Sequence, residues 1–220
     1  RRGHWLVDKI GRYDRRISLE EAFGDSCNGF YAKLVVEDTG LSLVNTYAKK
    51  LGWGRKISAD FLIPTSPIQS PESTTSGIYR VGRYGAGFGM VGINAVHAAY
   101  LSYIVANGGR AKPLQIKKET TPAQNFEGEK VFQLKTAEAL SEMMRATVKS
   151  GTARWVFRKR RYRKLRYKLS GKTGTLSTKS PKGVTTWFTG LYPYKDPEIA
   201  ISAVVINRDK WVVKGPQLAA

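Results

Sequence analysis

Residues 170–175 read Ser-Gly-Lys-Thr-Gly-Thr and lie in the last third of the chain, where the spacing of apolar residues changes from helical to strand-like. Three strands are predicted there, over 168–176, 184–191 and 199–207. The last two are joined by Tyr-Pro-Tyr-Lys-Asp-Pro at 192–197, a turn-rich composition that suits an antiparallel pair. The sequence therefore predicts a small antiparallel sheet that contains the Lys-Thr-Gly-Thr stretch.

The part of the chain before this sheet follows helical spacing. Ser18 and Glu21 form a capping box that predicts the start of a first helical region. We expect this region to break near Gly24 and to stop at Gly40. Further helices are predicted over 41–51, 93–106 and 136–149. Because helices come first and strands last, with no repeat or clear linker, the sequence predicts one α+β domain over residues 1–220.

A stretch between these helices, 55–89, is rich in Pro, Ser, Thr and Gly and is predicted to be irregular. It closes on a glycine cluster, Gly-Ala-Gly-Phe-Gly at 85–89. A phosphate-binding glycine loop requires a preceding strand, and none is predicted here. Nucleotide binding is therefore disfavoured.

Composition excludes several other classes of protein. With 41% hydrophobic and 11% aromatic residues, the chain is expected to fold rather than to be disordered. No apolar run approaches the roughly 20 residues that a membrane-spanning helix needs. The single cysteine, Cys27, excludes an internal disulfide, and we expect it to pack in the core. The histidines, His4 and His97, lack the spacing of metal ligands, so no metal or organic cofactor is expected.

The chain is strongly basic, with 37 Lys and Arg against 17 Asp and Glu and a net charge of +20. Nine of these cations lie in the fifteen residues from Arg154 to Lys168, interleaved with aromatic residues. The alternation favours a strand edge whose aromatic side chains face the core. Two interpretations of this stretch stay open: a solvated surface without a partner, or contact with an anionic membrane or wall polymer, which is favoured over nucleic acid.

Two short motifs carry the groups of a catalytic or binding site. On a strand edge, the Lys-Thr-Gly-Thr stretch offers a cation, two hydroxyls and a glycine past which a substrate backbone can approach closely. Such a group can bind a terminal carboxylate while a backbone N–H faces a developing oxyanion. The second motif, Ser26-Cys27-Asn28, follows the expected helix break. Each motif alone is also compatible with an ordinary surface turn.

Five landmarks in order give these motifs more weight. They are Ser-Cys-Asn-Gly-Phe at 26–30, Ile-Val-Ala-Asn-Gly-Gly at 104–109, Gly-Thr-Ala at 151–153, Ser-Gly-Lys-Thr-Gly-Thr at 170–175 and Trp-Phe-Thr-Gly-Leu-Tyr-Pro at 187–193. This succession, over about residues 15–207, closely resembles the transpeptidase domain of penicillin-binding proteins. These are cell-wall D,D-transpeptidases related to serine β-lactamases, and the resemblance implies their α+β fold with a C-terminal antiparallel sheet.

The resemblance also implies a role for each motif residue. The serine of Ser-x-Asn shuttles a proton with the catalytic lysines, its asparagine holds a substrate amide, and the lysine of Lys-Thr-Gly supplies positive potential. Both threonines would hold the substrate carboxylate, with the backbone N–H of the second in the oxyanion hole. The candidate catalytic residues are therefore Ser26, Asn28 and Lys172, and the candidate substrate-binding residues are Thr173, Gly174 and Thr175.

The sequence departs from the family pattern at the nucleophile. No Ser-x-x-Lys occurs in these 220 residues, and Ala86 replaces the glutamine of a family Gly-Gln-Gly. The family fold also has N-terminal strands and a C-terminal helix that we do not find. We therefore expect the chain to be an incomplete domain, cut before Ser-x-x-Lys, from a protein anchored in the membrane by another segment.

Two interpretations remain open. In the first, the longer protein is a working transpeptidase that acts outside the cytoplasmic membrane, with D-Ala-D-Ala stem peptides as substrates and β-lactams as inhibitors. In the second, it has lost its nucleophile and keeps the fold for binding or scaffolding. The intact Ser26, Asn28 and Lys172 favour the first, because a discarded active site has no reason to keep them.

Overall fold

The computed structural model describes residues 16–71, 77–116, 127–179, 182–208 and 211–220. These residues form two compact units. Of the described residues, the first unit comprises 16–18, Cys27–His97 and 112–116. The second comprises Leu19–Ser26, Ala98–Ala111 and Glu127–Ala220. The expectation of a single incomplete domain over 1–220 stays a prediction.

The order of elements is helical first and sheet-rich last. The helices are α1 Leu19–Gly24, α2 Asn28–Leu34, α3 Gly40–Lys50, α4 Ile78–Gly85, α5 Ala95–Ala106, α6 Leu134–Lys149, α7 Arg154–Phe157, α8 Arg163–Lys168 and α9 Gly215–Leu218. A π-helical turn, Val35–Thr39, follows α2, and a 3₁₀ turn, Arg160–Tyr162, follows α7. The strands are β1 Arg110–Ala111, β2 Glu129–Lys130, β3 Ser170–Lys179, β4 Lys182–Tyr192 and β5 Ile199–Asn207.

Most of the sequence-based element assignments are confirmed. The helices predicted over 41–51, 93–106 and 136–149 are α3, α5 and α6, each within two residues at either end. The three predicted strands are β3, β4 and β5, which form an antiparallel sheet in that order. The predicted break is also present, since α1 ends at Gly24 and α2 begins four residues later.

The predicted stop at Gly40 is confirmed, since the π-helical turn ends at Thr39 and Gly40, with a φ of 70°, lets the chain change direction where α3 begins. Two predictions are wrong in part. The stretch 55–89 is not irregular throughout, because it contains α4. The basic stretch is helical rather than a strand edge. Leu165 and Leu169 follow Tyr162 at helical spacing, and this period prevails over the apparent alternation of aromatic residues.

The second unit is built around the sheet and α6. Its core cluster comprises Val148, Ala153, Val156, Phe157, Leu169 and Phe188. The rings of Phe157 and Phe188 are fully buried with centroids 5.6 Å apart. The Ser170 hydroxyl at the start of β3 donates to the carbonyl oxygen of Ser141 in α6 at 2.8 Å. This contact fixes β3 against α6 immediately before the Lys-Thr-Gly-Thr stretch.

Gly171 brings this strand closer to the core than any other residue could. A Cβ atom at this position would collide with the Phe188 ring. The missing side chain therefore lets that ring pack directly beneath β3. Because β3 lies at the edge of the β3-β4-β5 sheet, only one of its two backbone edges is paired within it, with β4.

The first unit contains a buried histidine near the start of α5. His97 is fully buried, and its Nε2 lies 2.9 Å from the carbonyl oxygen of Leu51. The Trp53 ring lies 4.5 Å from the imidazole, centroid to centroid. Burial lowers the pKa of His97, so the neutral imidazole is favoured. Cys27 is also buried, as predicted for a core residue.

Within the described ranges, no helix is long and apolar enough to cross a lipid bilayer.

Candidate active site

The serine of the Ser-x-Asn motif lies in a tight turn after α1. Ser26 has a φ of 58°, a left-handed conformation that side chains other than glycine rarely adopt. The turn is closed by its own backbone, since Ser26 N donates to Phe23 O at 3.1 Å and Asp25 N donates to Glu21 O at 2.9 Å. A left-handed serine costs of order 1 kcal/mol, so neighbouring contacts must hold it in place.

The turn is anchored to the segment after α6. Thr152 N donates to the carbonyl oxygen of Gly24 at 3.0 Å. The two backbones meet without side chains, because a Cβ atom at Gly151 would strike the carbonyl group of Gly24. A Cβ atom at Gly24 would in turn lie 3.2 Å from Ala146, which is tighter than ordinary packing. These close approaches fix the end of α1, and with it the position of Ser26.

Lys172 reaches this turn from β3. Its Nζ donates to Ser26 Oγ at 2.6 Å and to the carbonyl oxygen of Thr173 at 3.1 Å. It also lies 5.6 Å from the centroid of the Phe23 ring. The structure therefore brings together two of the three candidate catalytic residues, which are 146 positions apart in sequence.

Burial makes Lys172 easier to deprotonate. Removing the ammonium from water lowers the pKa of Lys172 from 10.5 to about 8. At pH 7 about a tenth of the side chains are then neutral, whereas an ordinary exposed lysine is neutral in fewer than about one molecule in a thousand. An amine that is populated in both forms near neutral pH can both accept and return the proton of the Ser26 hydroxyl.

A further contact connects the Ser26 turn to β3. The hydroxyls of Thr152 and Thr173 lie 2.5 Å apart, and either can be the donor. Thr152 Oγ1 also lies 3.4 Å from the carbonyl oxygen of Gly24. When Thr152 donates to Thr173, the Thr173 proton is free to bind an anion. The sequence analysis used Thr152 only as part of a landmark. It missed the contact with Thr173 because no local pattern indicates a contact between residues 21 positions apart.

The other substrate-binding candidates follow along β3. Thr175 is exposed and lies opposite Thr186 of β4. Gly174 lies opposite Trp187, and a Cβ atom there would come within 3.3 Å of the Trp187 side chain. Both positions are at the sheet edge, where a strand-like ligand can approach the backbone.

Asn28 belongs to a different compact unit from the other five candidates. It is partly buried and forms the first residue of α2 in the first unit, whereas Ser26 belongs to the second unit. Its assignment as a catalytic residue stays a prediction, as do the roles assigned to the other five motif residues.

No metal site is present in the described part of the chain, where no three His, Cys, Asp or Glu residues cluster closely enough to hold an ion.

An α+β fold that carries a lysine–serine pair at the edge of an antiparallel sheet is the arrangement that the resemblance to the serine-transpeptidase class implied. The chain matches the model of the penicillin binding protein transpeptidase domain over residues 2–216, and it belongs to that family. The resemblance inferred from the five landmarks is confirmed. No curated protein matches the chain.

Solved structures share this fold. The transpeptidase domain of Burkholderia pseudomallei penicillin-binding protein 3 superposes with a TM-score of 0.75 at 19% identity over 92% of this chain and 60% of its own. A peptidoglycan glycosyltransferase from Burkholderia ambifaria superposes with a TM-score of 0.72 at 19% identity, over 92% of this chain and 59% of its own. Penicillin-binding protein A from M. tuberculosis, as an imipenem acyl-enzyme complex, superposes with a TM-score of 0.71 at 19% identity, over 93% of this chain and 46% of its own.

These similarities establish the α+β fold with its antiparallel C-terminal sheet, as the sequence predicted. The chain spans only about half the length of these structures, from 46% to 60%.

Proposed function

We propose that this chain supplies the proton relay and the substrate-binding strand of a peptidoglycan D,D-transpeptidase that acts outside the cytoplasmic membrane. The observation that carries the proposal is the 2.6 Å hydrogen bond between Lys172 and Ser26, together with the lowered pKa of Lys172. The nucleophilic serine belongs to a part of the protein outside these 220 residues, since they contain no Ser-x-x-Lys.

The reaction is acyl transfer in two steps. A base that lies with the nucleophile outside these residues takes the proton of its hydroxyl. The nucleophile attacks the carbonyl carbon of the penultimate D-alanine, and the bond to the terminal D-alanine breaks as an ester forms. Ser26 gives its hydroxyl proton to the departing amine and takes a proton from Lys172. An acceptor amine then attacks the ester and its proton returns through Ser26 to Lys172, while the base returns its proton to the nucleophile as the ester bond breaks.

The edge of β3 is suited to the substrate. An extended peptide can add to an unpaired strand edge through main-chain hydrogen bonds, which aligns its terminal carboxylate with the strand. Thr173 and Thr175 would donate to that carboxylate, and Gly174 permits the backbone approach. The positive potential of Lys172 favours the anion, and the backbone N–H of Thr175 would stabilise the oxyanion.

β-Lactams are the expected inhibitors. Penicillin-binding protein A from M. tuberculosis, which shares the fold, forms acyl-enzyme complexes with imipenem and penicillin G. A β-lactam amide in place of D-Ala-D-Ala would meet the same nucleophile, proton relay and carboxylate-binding strand.

Two variants of the full-length protein test the role of the relay. Ser26→Ala and Lys172→Ala should each slow acylation by fluorescent penicillin about 10²-fold or more, because general acid–base catalysis contributes at least that much. Ser177→Ala and Lys182→Ala are matched controls, since both residues are exposed on the same hairpin. Unchanged acylation in both relay variants would remove these residues from the mechanism.

The alternative is a domain that binds wall peptides without turning them over. A folded full-length protein that binds a D-Ala-D-Ala peptide but forms no covalent β-lactam adduct would establish this alternative.

A further inference from the structure

The second unit carries an unusually one-sided charge. From Met143 to Lys195, both included, the sequence contains fifteen Lys and Arg and no Asp or Glu. Eight of these cations are exposed within α7, the 3₁₀ turn, α8 and the residues between them. We call this set the basic surface: Arg154, Arg158, Lys159, Arg160, Arg161, Arg163, Lys164 and Lys168. With no acidic residue in the segment, its charge is not neutralised by sequence neighbours.

The basic surface is fixed on the core. Val156 and Phe157 of α7 are fully buried, and Tyr162 and Leu165 pack against the same cluster. Their burial orders the short helices and directs the intervening cations to the solvent. The positive charges are therefore presented on an ordered surface and need little further ordering when a partner binds.

One exposed indole lies among these cations in α7, and a second exposed apolar group lies near that indole. Trp155 of α7 is 36% exposed, Trp211 is 50% exposed and Val212 is 77% exposed. Lys214 connects the two indoles, since its Nζ lies 4.8 Å from the Trp155 ring and 4.2 Å from the Trp211 ring. The Asn207 side chain anchors the segment that carries Trp211 and Val212. It accepts a hydrogen bond from Val212 N at 3.1 Å and donates one to Val213 O at 2.9 Å.

We propose that this face, the basic surface together with Trp155, Trp211 and Val212, docks on an anionic phospholipid bilayer. Lys and Arg beside a lipid headgroup layer gain from its negative surface potential. Tryptophan is favoured at the level of the headgroups, where its ring is apolar and its N–H remains hydrated. The proposal concerns a surface of the second unit and does not depend on the catalytic role of Lys172.

The aliphatic component distinguishes a bilayer from other polyanions. A wall polymer of glycerol phosphate or a single-stranded nucleic acid would also attract the cations, and nucleic acid bases would stack on the indoles. Neither polyanion offers an apolar region in which Val212 could be buried, whereas the acyl boundary of a bilayer does, and burial there strengthens binding. The combination of cations, indoles and an exposed valine therefore favours lipid.

Tryptophan quenching tests contact at this face directly. The intact protein is mixed with vesicles of phosphatidylglycerol and phosphatidylcholine that carry bromine on the acyl chains, and with brominated phosphatidylcholine vesicles alone. Emission should be quenched by the anionic vesicles and not by the neutral ones. The Trp155→Phe/Trp211→Phe variant should lose the quenched component, since phenylalanine keeps the apolar contact but not the signal. Quenching that persists in this variant would place the contact elsewhere and overturn the proposal.

Charge variants test the basic surface. Arg158→Ser/Arg161→Ser/Lys164→Ser should raise the lipid concentration for half-maximal quenching on the order of 100-fold. The matched control, Lys33→Ser/Lys49→Ser/Lys56→Ser, removes three exposed cations from the first unit and should change it less than about tenfold. Equal effects of the two triple variants would mean that only net charge matters, which contradicts a defined docking face.

A substitution at Val212 distinguishes binding to a bilayer from binding to a soluble polyanion. Val212→Ser should weaken quenching by anionic vesicles roughly tenfold, because most of an exposed valine would leave water. It should leave the affinity for poly(glycerol phosphate) and for single-stranded DNA unchanged. Two outcomes would show that the partner is not a bilayer. In the first, Val212→Ser binds vesicles as the wild type does. In the second, either polyanion binds the protein while brominated anionic vesicles leave the indole emission unchanged.

Discussion

The pKa of Lys172 predicts how acylation responds to pH. In the proposed mechanism, Ser26 protonates the departing amine while it takes a proton from Lys172, so acylation requires the ammonium form. Burial lowers the pKa of this group to about 8. We therefore expect the acylation rate of the full-length protein to decline as pH rises through about 8, about two units below the range of an ordinary lysine.

The size of the decline follows from this value. At pH 9 about a tenth of the Lys172 side chains remain protonated, so the rate should be roughly tenfold below its plateau. A lysine with an unperturbed pKa of about 10.4 would still be more than about nine-tenths protonated at pH 9, and the rate would hardly change. Lys172→Arg should lose the descending limb at a lower overall rate, because guanidinium stays charged throughout this range.

Stopped-flow measurement of acylation by a fluorescent penicillin from pH 6 to pH 10 gives the profile. Hydrolysis of the free β-lactam is measured at each pH, and circular dichroism confirms that the protein remains folded. A plateau that extends through pH 9 in the wild type, or a descending limb that persists in Lys172→Arg, would refute the assignment of Lys172 as the proton donor.

Two further substitutions test the architecture around the relay. Thr152→Val should slow acylation about fivefold, because one hydrogen bond to Thr173 of about 1 kcal/mol is lost. Thr152→Ser keeps the hydroxyl and should retain the rate. An equal loss of rate in both variants would show that only the packing of the methyl group matters. Gly171→Ala should lower the free energy of unfolding in urea by about 1–3 kcal/mol, because its Cβ would collide with the Phe188 ring. Gly77→Ala, where a Cβ meets no neighbour within 4 Å, is the control and should stay within about 0.5 kcal/mol; similar values for the two would contradict the packing described for β3.

The sequence was sufficient for the frame of the fold and for the identity of the motif residues. Periodicity placed α3, α5, α6 and the three long strands, because each buries one regular face. The break at Gly24 was readable because a glycine there interrupts an otherwise continuous helical pattern. The order of the landmarks then gave the family, which no single motif could give.

Other features depend on tertiary contacts that local patterns do not encode. The basic stretch alternates aromatic residues over a few positions, yet the burial of Phe157 and Leu165 against the core makes it helical. The lowered pKa of Lys172 arises from burial beside a turn 146 residues away. The contact between Thr152 and Thr173 joins two segments that are 21 residues apart, and the close approach of Gly24 and Gly151 holds the end of α1 against the first of them.

The most direct test of the central claim is the intact mass of the full-length protein before and after treatment with excess penicillin. Our account predicts a gain of one penicillin per molecule on the wild type, and a much slower gain on Lys172→Ala. A folded wild-type protein that gains no mass would contradict the account, because the relay of Lys172 and Ser26 would then serve no acyl transfer.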